Sequence, residues 1–395
     1  MDAIGSLDSL LLASLCAGII GFLIAVRFLP RRTAAVVAFT KAVIPFVYFR
    51  WAFDGGWQLL DDVSYFDRGK ALLTAGYDPI TIWFSRAGMI RIMTLAGGHH
   101  ILYEWFNLLA QRLFGPYYHS AVLLNVLLTF PTAAVLYAMV RHAGFSERYA
   151  RGICVFFLLH WEVVAWSSFV NLKDTLVMSM SATMLYVLML MSDRMRPLRV
   201  VSALLLVIAF YWIRFYVPIV MAIAYTIFQL TRGRQERKRL IWRVLIGLGL
   251  AVAAVVYIGV EAITAQMTKL VPSPLSVIEG VTRMLLSPQP WAIESHYGFL
   301  LLPSALNLIF LLPGVLGAVW LWRYARPTRL LLIYFLLVVI LFAAFPEEQG
   351  PRHRVQVSFV LAWAQFHFCW IAWQRIAGRL RQARWESVPT SVVPS

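Results

Sequence analysis

The stretch SAVLLNVLLTFPTAAVLYAMV, residues Ser120–Val140, decides the fold class of this chain. It contains no charged residue, and a helix of this length crosses about 30 Å of hydrocarbon. Ten further stretches are similar, although Lys41 interrupts one of them. The predicted membrane-spanning helices are Leu10–Leu29, Ala34–Phe49, Ser120–Val140, Ile153–Val170, Thr175–Met191, Val200–Ile213, Val217–Leu230, Ile241–Val260, Phe299–Trp322, Leu330–Phe345 and Val357–Trp373.

The composition indicates the same class. With 61% hydrophobic and 14% charged residues, apolar stretches recur along all 395 residues and leave no room for a soluble domain. We therefore predict an all-α, polytopic membrane protein of about eleven transmembrane helices in a single domain, 1–395. Cys16, Cys154 and Cys369 lie far apart in predicted spans, which indicates neither a disulfide framework nor a metal site. The residues identify no cofactor, and a need for a divalent metal stays open.

Lys and Arg concentrate in every second loop, and short loops with such residues remain cytoplasmic. The formal charge of +16 is therefore a topology signal, and nucleic acid is not an expected partner. The distribution predicts that the N-terminus lies outside and that the tail, 375–395, lies in the cytoplasm. Met1–Ser9 contains no basic residue, which argues against a cleaved signal peptide. The basic loops contain Arg31, Arg32, Arg141, Arg148, Arg151, Arg194, Arg196, Arg199, Arg232–Arg239, Arg323, Arg326 and Arg329.

Two long loops, 51–119 and 261–298, fall on the outer side in this topology. The first contains two amphipathic stretches, Asp62–Thr74 and Leu102–Phe114, each followed within two residues by glycine, which predicts helices at the membrane interface. The second contains four prolines and Trp291, and is predicted to form a structured lid over the membrane. Long ordered loops usually serve function.

The unusual ionisable residues fall on the same outer side. Charges at membrane depth are costly unless they face protein or water, so we expect these residues to converge on one cavity. Tyr65 is one turn beyond Asp61 and shares its helix face. The residues concerned are Asp61, Asp62, Lys173, Asp174, Arg214, Glu347, Glu348, Arg352, His353 and Arg354.

Each of these groups also has a structural interpretation. Asp61 and Asp62 are suited to cap the following helix, where carboxylates favour the positive end of the helix dipole. The Lys173-Asp174 dipeptide can equally be a helix start, and the segment 351–354 can be an interfacial anchor. Two arginines on the outer side nevertheless call for an anionic partner, because positive charge is disfavoured there.

A carboxylate near arginines suits a reaction in which a hydroxyl attacks a donor that has a phosphate leaving group. The carboxylate deprotonates the hydroxyl, and guanidinium groups bind the departing phosphate in a bidentate manner. We expect Asp61 and Asp62 to be the catalytic positions, in unequal roles, because adjacent helical residues point about 100° apart. The predicted substrate-binding residues are Tyr65, Lys173, Asp174, Arg214, Arg352, His353 and Arg354.

The layout resembles the C-type glycosyltransferase superfamily, whose members are polytopic enzymes using sugars linked to polyprenyl phosphate or diphosphate. The resemblance rests on the acid pair followed by Tyr65, the Asn-Leu-Lys-Asp turn at 171–174 and the Arg-rich stretch at 351–357. It implies a helical fold with helical outer loops, a catalytic role for Asp61 or Asp62, and a donor-phosphate role for Arg352 and Arg354. The late stretch departs from the pattern of monosaccharide transferases, because it has no proline-rich continuation.

The resemblance implies a glycosyltransferase of the bacterial inner membrane that acts on the extracytoplasmic face in the synthesis of cell-envelope polysaccharide or glycoconjugate. Its partners would be a polyprenyl-linked sugar, a glycan or lipid acceptor, and membrane lipid. Two alternatives stay open. One is a repeat-unit polymerase of the O-antigen or exopolysaccharide type. The other is a transporter or flippase for lipid-linked sugars, which needs arginines to bind phosphate but no base.

Overall fold

The computed structural model of the chain describes residues 5–55, 57, 59–97, 100–231, 249, 274–344 and 350–386. Among these residues every regular element is a helix and no strand occurs, so the all-α prediction is confirmed. In chain order the helices are α1 (Leu7–Ala25), α2 (Arg31–Val47), α3 (Leu60–Thr74), α4 (Arg86–Leu95), α5 (Ile101–Phe114), α6 (Tyr118–His142), α7 (Glu147–Leu158), α8 (Trp161–Ser168), α9 (Asp174–Asp193), α10 (Pro197–Tyr211), α11 (Tyr216–Leu230), α12 (Pro274–Leu286), α13 (Leu301–Ile309), α14 (Leu311–Tyr324), α15 (Arg329–Ala343), α16 (Gly350–Arg354) and α17 (Ser358–Glu386).

Six helical segments of the described chain are long and apolar enough to cross a membrane. Two bent helix pairs raise the number to as many as eight. The pair α7 and α8 is bent by 46°, and the segment Ser295–Ile309 is bent by 56° relative to α14. The six single segments are Leu7–Ala25, Arg31–Ala52, Tyr118–His142, Asp174–Asp193, Arg326–Ala343 and Gly350–Ala377.

The predicted number of eleven spans is not confirmed. The predicted spans at 200–213 and 217–230 correspond to α10 and α11, which have 15 residues each. Each is therefore about 22 Å long and falls short of the hydrocarbon thickness. The predicted span at 241–260 lies outside the described residues. Of the predicted lid at 261–298, the described part begins at α12, which packs against α15 and α16.

Two of the helix contacts depend on glycine. A Cβ atom at Gly317 of α14 would overlap the carbonyl oxygen of Ala364 in α17, and one at Gly280 of α12 would overlap that of Ala343 in α15. Without side chains at these two positions, the backbones of the paired helices approach closely. Within residues 51–119, α3 and α5 lie at the two amphipathic stretches and pack against each other.

The two ends of the helical bundle differ in charge. Helices α6 and α9 are parallel to each other and antiparallel to α10. Nε2 of His142, at the end of α6, lies 2.8 Å from Oδ2 of Asp193, at the end of α9. The start of α6 contacts α3 instead, through Tyr118 and Asp62. We call the end at which α6, α9 and α11 begin the cavity end. The opposite end contains Arg141, Arg148, Arg151, Arg194, Arg196, Arg199, Arg323, Arg326 and Arg329.

The separation of charge makes the predicted orientation testable. Alkaline phosphatase is active only outside the cytoplasm, so we expect activity from a fusion at Gly97, between α4 and α5. A fusion at Gly144, between α6 and α7, should be inactive because that turn lies at the arginine-rich end. Both glycines have positive φ and space around them, which limits local disturbance. The reverse pattern of activities would overturn the orientation.

Candidate functional site

A buried polar network fixes the turn that leads into α9. The Asn171 side chain donates to Asn107 Oδ1 at 2.7 Å and to the backbone oxygen of Asp62 at 3.2 Å. Its own oxygen accepts a hydrogen bond from the Tyr103 hydroxyl at 2.8 Å. Because α3 and α5 supply these partners, the turn is held against these two helices, and the residues that follow Asn171 have defined positions.

Four charged side chains form an alternating chain at the start of α9. Arg352 Nη1 donates to Asp61 Oδ2 at 2.7 Å, and Arg352 Nε donates to Asp174 Oδ2 at 3.0 Å. The other oxygen of Asp174 accepts a hydrogen bond from Arg214 Nη2. These residues come from α3, α9, the turn between α10 and α11, and α16. The structure thus brings together four residues that the sequence analysis selected.

The two adjacent aspartates face different surroundings. The Asp61 side chain is 52% exposed. Its partial burial opposes ionisation, but the Arg352 guanidinium holds the pKa of the Asp61 carboxyl below its ordinary value. Asp61 is therefore a carboxylate at neutral pH and remains within reach of a ligand.

Asp62 is fully buried. Its carboxylate accepts hydrogen bonds from the Tyr118 hydroxyl and, at 2.7 Å, from the backbone N–H of Val63. Burial raises the pKa of Asp62 to about 6 despite these hydrogen bonds. The acid pair therefore splits as its helical geometry predicts, with Asp61 towards the charged chain and Asp62 towards the protein interior.

Lys173 is the third cation of the site. Its Nζ donates to the Tyr65 hydroxyl at 3.1 Å and lies 2.7 Å from His100 Nε2. His100 Nδ1 lies 3.1 Å from the backbone oxygen of Ile213, a contact that favours the tautomer with the proton on Nδ1. Among the described residues, no carboxylate forms an ion pair with Lys173. Burial, followed by the charges of the neighbouring arginines, lowers the pKa of Lys173 well below its ordinary value.

These side chains surround a cavity of about 370 Å³, which is within the usual range for small-ligand sites. One wall is the turn between α10 and α11, which adds aromatic rings to the charged groups. Aromatic and apolar walls with a few convergent polar groups are typical of ligand sites. The lining residues are Asp61, His100, Lys173, Tyr211, Ile213, Arg214, Phe215, Tyr216, Arg352 and His353.

Arg354 does not line this cavity. Its Nη1 donates to the backbone oxygens of Met284, Leu285 and Ser287 at 2.9–3.0 Å, and its Nε donates to Glu162 Oε1 at 2.5 Å. The side chain is 3% exposed. Arg354 thus satisfies the last carbonyl groups of α12 and neutralises a buried acid, and its guanidinium has no group left to offer a ligand in the cavity.

The remaining predicted site residues differ in whether they line the cavity. Tyr65 is buried behind Lys173 and supports it without lining the cavity, whereas His353 does line it. Glu347 and Glu348 lie outside the described residues. Among the described residues, no group of three or more His, Cys, Asp and Glu side chains is arranged to hold a metal ion.

The sequence analysis missed His100 and three aromatic residues, Tyr211, Phe215 and Tyr216. His100 has a φ of 60°, an uncommon left-handed conformation that often marks a functional position. No sequence signal indicated this. The aromatic residues flank Arg214 in the segment YWIRFY, and that local clustering of rings around a charge was the available signal.

Comparison of the chain with protein families, with curated proteins and with solved structures gave no match. The function is therefore argued from the site itself.

The two arginines of α16 should respond differently to replacement by lysine. Arg354→Lys cannot keep three carbonyl contacts and the contact with Glu162, so we expect a loss of stability on the order of 2–3 kcal/mol. Arg352→Lys is the matched control and should lose less stability, because lysine can still pair with Asp174 and water can solvate the half-exposed Asp61. Thermal unfolding of the purified protein in detergent measures both. Equal losses in both variants would contradict the assignment.

Asp62 should make stability depend on pH. A folded-state pKa raised to about 6 means that the folded protein loses stability as the pH rises from the ordinary value of 3.8 to about 6. Asp62→Asn should remove this loss, so that its stability relative to the parent increases by about 2–3 kcal/mol across that interval. Unfolding temperatures between pH 4 and pH 8 measure the difference. Asp67→Asn, on the exposed side of α3, is the control, and a pH-independent difference for Asp62→Asn would refute the prediction.

Proposed function

We propose that this chain is a membrane glycosyltransferase of the C-type superfamily. It transfers a sugar from a polyprenyl-phosphate or polyprenyl-diphosphate donor to a glycan or lipid acceptor. The reaction takes place on the extracytoplasmic face of the inner membrane, in the synthesis of cell-envelope polysaccharide or glycoconjugate. The proposal keeps the predicted topology of about eleven spans, with the cavity end outside.

One observation carries the proposal. A half-exposed carboxylate, Asp61, and three cations, Lys173, Arg214 and Arg352, line one cavity next to the membrane spans. A general base must be within hydrogen-bond reach of the proton that it removes, and Asp61 is the accessible carboxylate of the acid pair. Phosphate leaving groups call for cations, and the same cavity provides them.

The reaction follows from this arrangement. The Asp61 carboxylate accepts the proton of the acceptor hydroxyl while the hydroxyl oxygen forms a bond to the anomeric carbon. The bond between that carbon and the phosphate oxygen breaks, and its electron pair stays on the phosphate. Arg352 and Lys173 stabilise the charge that develops there. A single displacement of this kind inverts the configuration at the anomeric carbon.

The aromatic turn suits the sugar. Tyr211, Phe215 and Tyr216 present rings to the same cavity as the charged groups. Sugars have apolar faces of C–H groups that pack against such rings, while their hydroxyls need polar partners. The cavity offers both, which a site for inorganic phosphate alone would not require.

A repeat-unit polymerase remains an alternative, because its donor also leaves as a lipid-linked phosphate and would need the same base and cations. Lipid-linked intermediates from a deletion strain separate the two. A missing single sugar indicates a monosaccharide transferase, whereas complete repeat units that fail to polymerise indicate a polymerase.

A transporter for lipid-linked sugars is favoured by a different observation. The breaks of the two bent helix pairs meet through the Trp161 indole, which donates to Asn307 at 2.6 Å, and through Glu162, which accepts from Asn307 at 2.7 Å. Broken helices with polar groups at mid-membrane are typical of transporters. Glu162 is, however, paired with Arg354 and fully buried, whereas Asp61 is accessible.

The role of Asp61 distinguishes an enzyme from a transporter. Asp61→Asn removes the base but keeps the size of the side chain, so we expect transfer from a lipid-linked sugar to fall by about 100-fold or more. Asp67→Asn removes an exposed carboxylate from the same helix and should leave the rate unchanged. Turnover of purified protein in vesicles measures both. Near-normal transfer by folded Asp61→Asn protein would refute the enzyme, and near-normal sugar-lipid translocation without any transfer would favour the transporter.

A further inference from the structure

The three nitrogens of the Arg352 guanidinium have different partners. Nε donates to Asp174 and Nη1 donates to Asp61. Nη2 is buried and makes no hydrogen bond to any of the described residues. A buried donor without a partner is costly, and a guanidinium binds a phosphate through two neighbouring N–H groups at once. Nη1 and Nη2 are such a pair, but Asp61 occupies one of them.

The carboxylates of Asp61 and Asp174, which both bind Arg352, differ in how easily they can be displaced. Asp174 is 1% exposed and has a second partner, Arg214, on its other oxygen. Asp61 is 52% exposed, and Arg352 is its sole ion-pair partner among the described residues. If the Asp61 carboxylate leaves Arg352, water can solvate it. Water does not reach the Asp174 carboxylate. Asp174 therefore anchors the guanidinium, and Asp61 is the ligand that can be displaced.

We propose that the phosphate of the donor displaces Asp61 from Arg352, so that donor binding itself releases the catalytic base. This inference rests on the proposed function and adds its order of events. In the absence of donor, Asp61 is bound to Arg352 and is a poor proton acceptor. Once the phosphate occupies Nη1 and Nη2, the Asp61 carboxylate loses its positive partner and can accept a hydrogen bond from the acceptor hydroxyl.

The arrangement would set the order of events, with the donor bound before the base is released. The Asp61 carboxylate becomes available as a base only when the phosphate is bound. It then deprotonates the acceptor hydroxyl that enters next. Lys173 remains available to the phosphate throughout, because it is bonded to Tyr65 and His100 rather than to a carboxylate. The anchor at Asp174 keeps Arg352 in the cavity during the exchange.

The exchange predicts that removing the base strengthens binding of the donor phosphate. The probe is farnesyl phosphate, added to the full-length protein in phosphatidylcholine nanodiscs, with farnesol as the control for the lipid tail. We expect Asp61→Asn to bind farnesyl phosphate about fivefold more tightly than the parent, which corresponds to the loss of competition from an exposed ion pair of about 1 kcal/mol. Asp67→Asn should bind as the parent does.

A double-mutant cycle separates displacement from a general effect of charge. Arg352→Gln should weaken binding about tenfold or more, and Asp61→Asn should add nothing to that background. Arg352→Lys keeps the positive charge but loses the two neighbouring N–H groups of the guanidinium. In this second background Asp61→Asn should tighten the binding of farnesyl phosphate only slightly.

The outcomes point in different directions. Unchanged or weaker binding in Asp61→Asn, or an equal gain in the Arg352→Gln background, would overturn the exchange and leave the proposed function in place. Binding of farnesyl phosphate no tighter than that of farnesol, in the parent and in Asp61→Asn alike, would overturn the phosphate site and the exchange together.

Discussion

The arrangement of the site depends on one buried carboxylate, Asp174. It is fully buried at the first position of α9 and bonds to two arginines, Arg214 and Arg352. A buried charge is tolerated only when partners compensate for its lost hydration, and here each oxygen has its own guanidinium. Because the partners come from the turn between α10 and α11 and from α16, this one residue ties three parts of the chain to the cavity end of the bundle.

Much of this arrangement could be predicted from the sequence, because charged residues are rare in the chain and burial in a membrane strongly restricts their positions. Asp61, Lys173, Asp174, Arg214 and Arg352 were selected on that ground. Four of them form one hydrogen-bonded chain, and Lys173 lines the same cavity. The separate directions of the acid pair also followed from helix geometry. The roles of these residues remain predictions, since the structure shows only where they lie.

Arg354 shows where composition alone falls short. Residues two apart on a helix point about 200° apart, so Arg352 and Arg354 cannot face one cavity from α16. Hydropathy identified both arginines as unusual but could not show that Arg354 meets Glu162 and the end of α12. The bends between Leu158 and Trp161 and at Phe310 were missed for a similar reason, since a hydropathy window averages over the polar residues that pair across two broken helices.

The contrast between these arginines gives a physical criterion for a binding cation. Arg354 has carbonyl and carboxylate partners on all sides and is a structural residue, since a ligand would have to replace several bonds at once. Arg352 retains an unused donor and holds one exposed, exchangeable partner, so a phosphate gains contacts while displacing little. Lys173, which is bonded to Tyr65 and His100 and to no carboxylate among the described residues, meets the same criterion. The proposed binding of a phosphate in this cavity therefore rests on the donors that the fold leaves uncommitted rather than on its net charge.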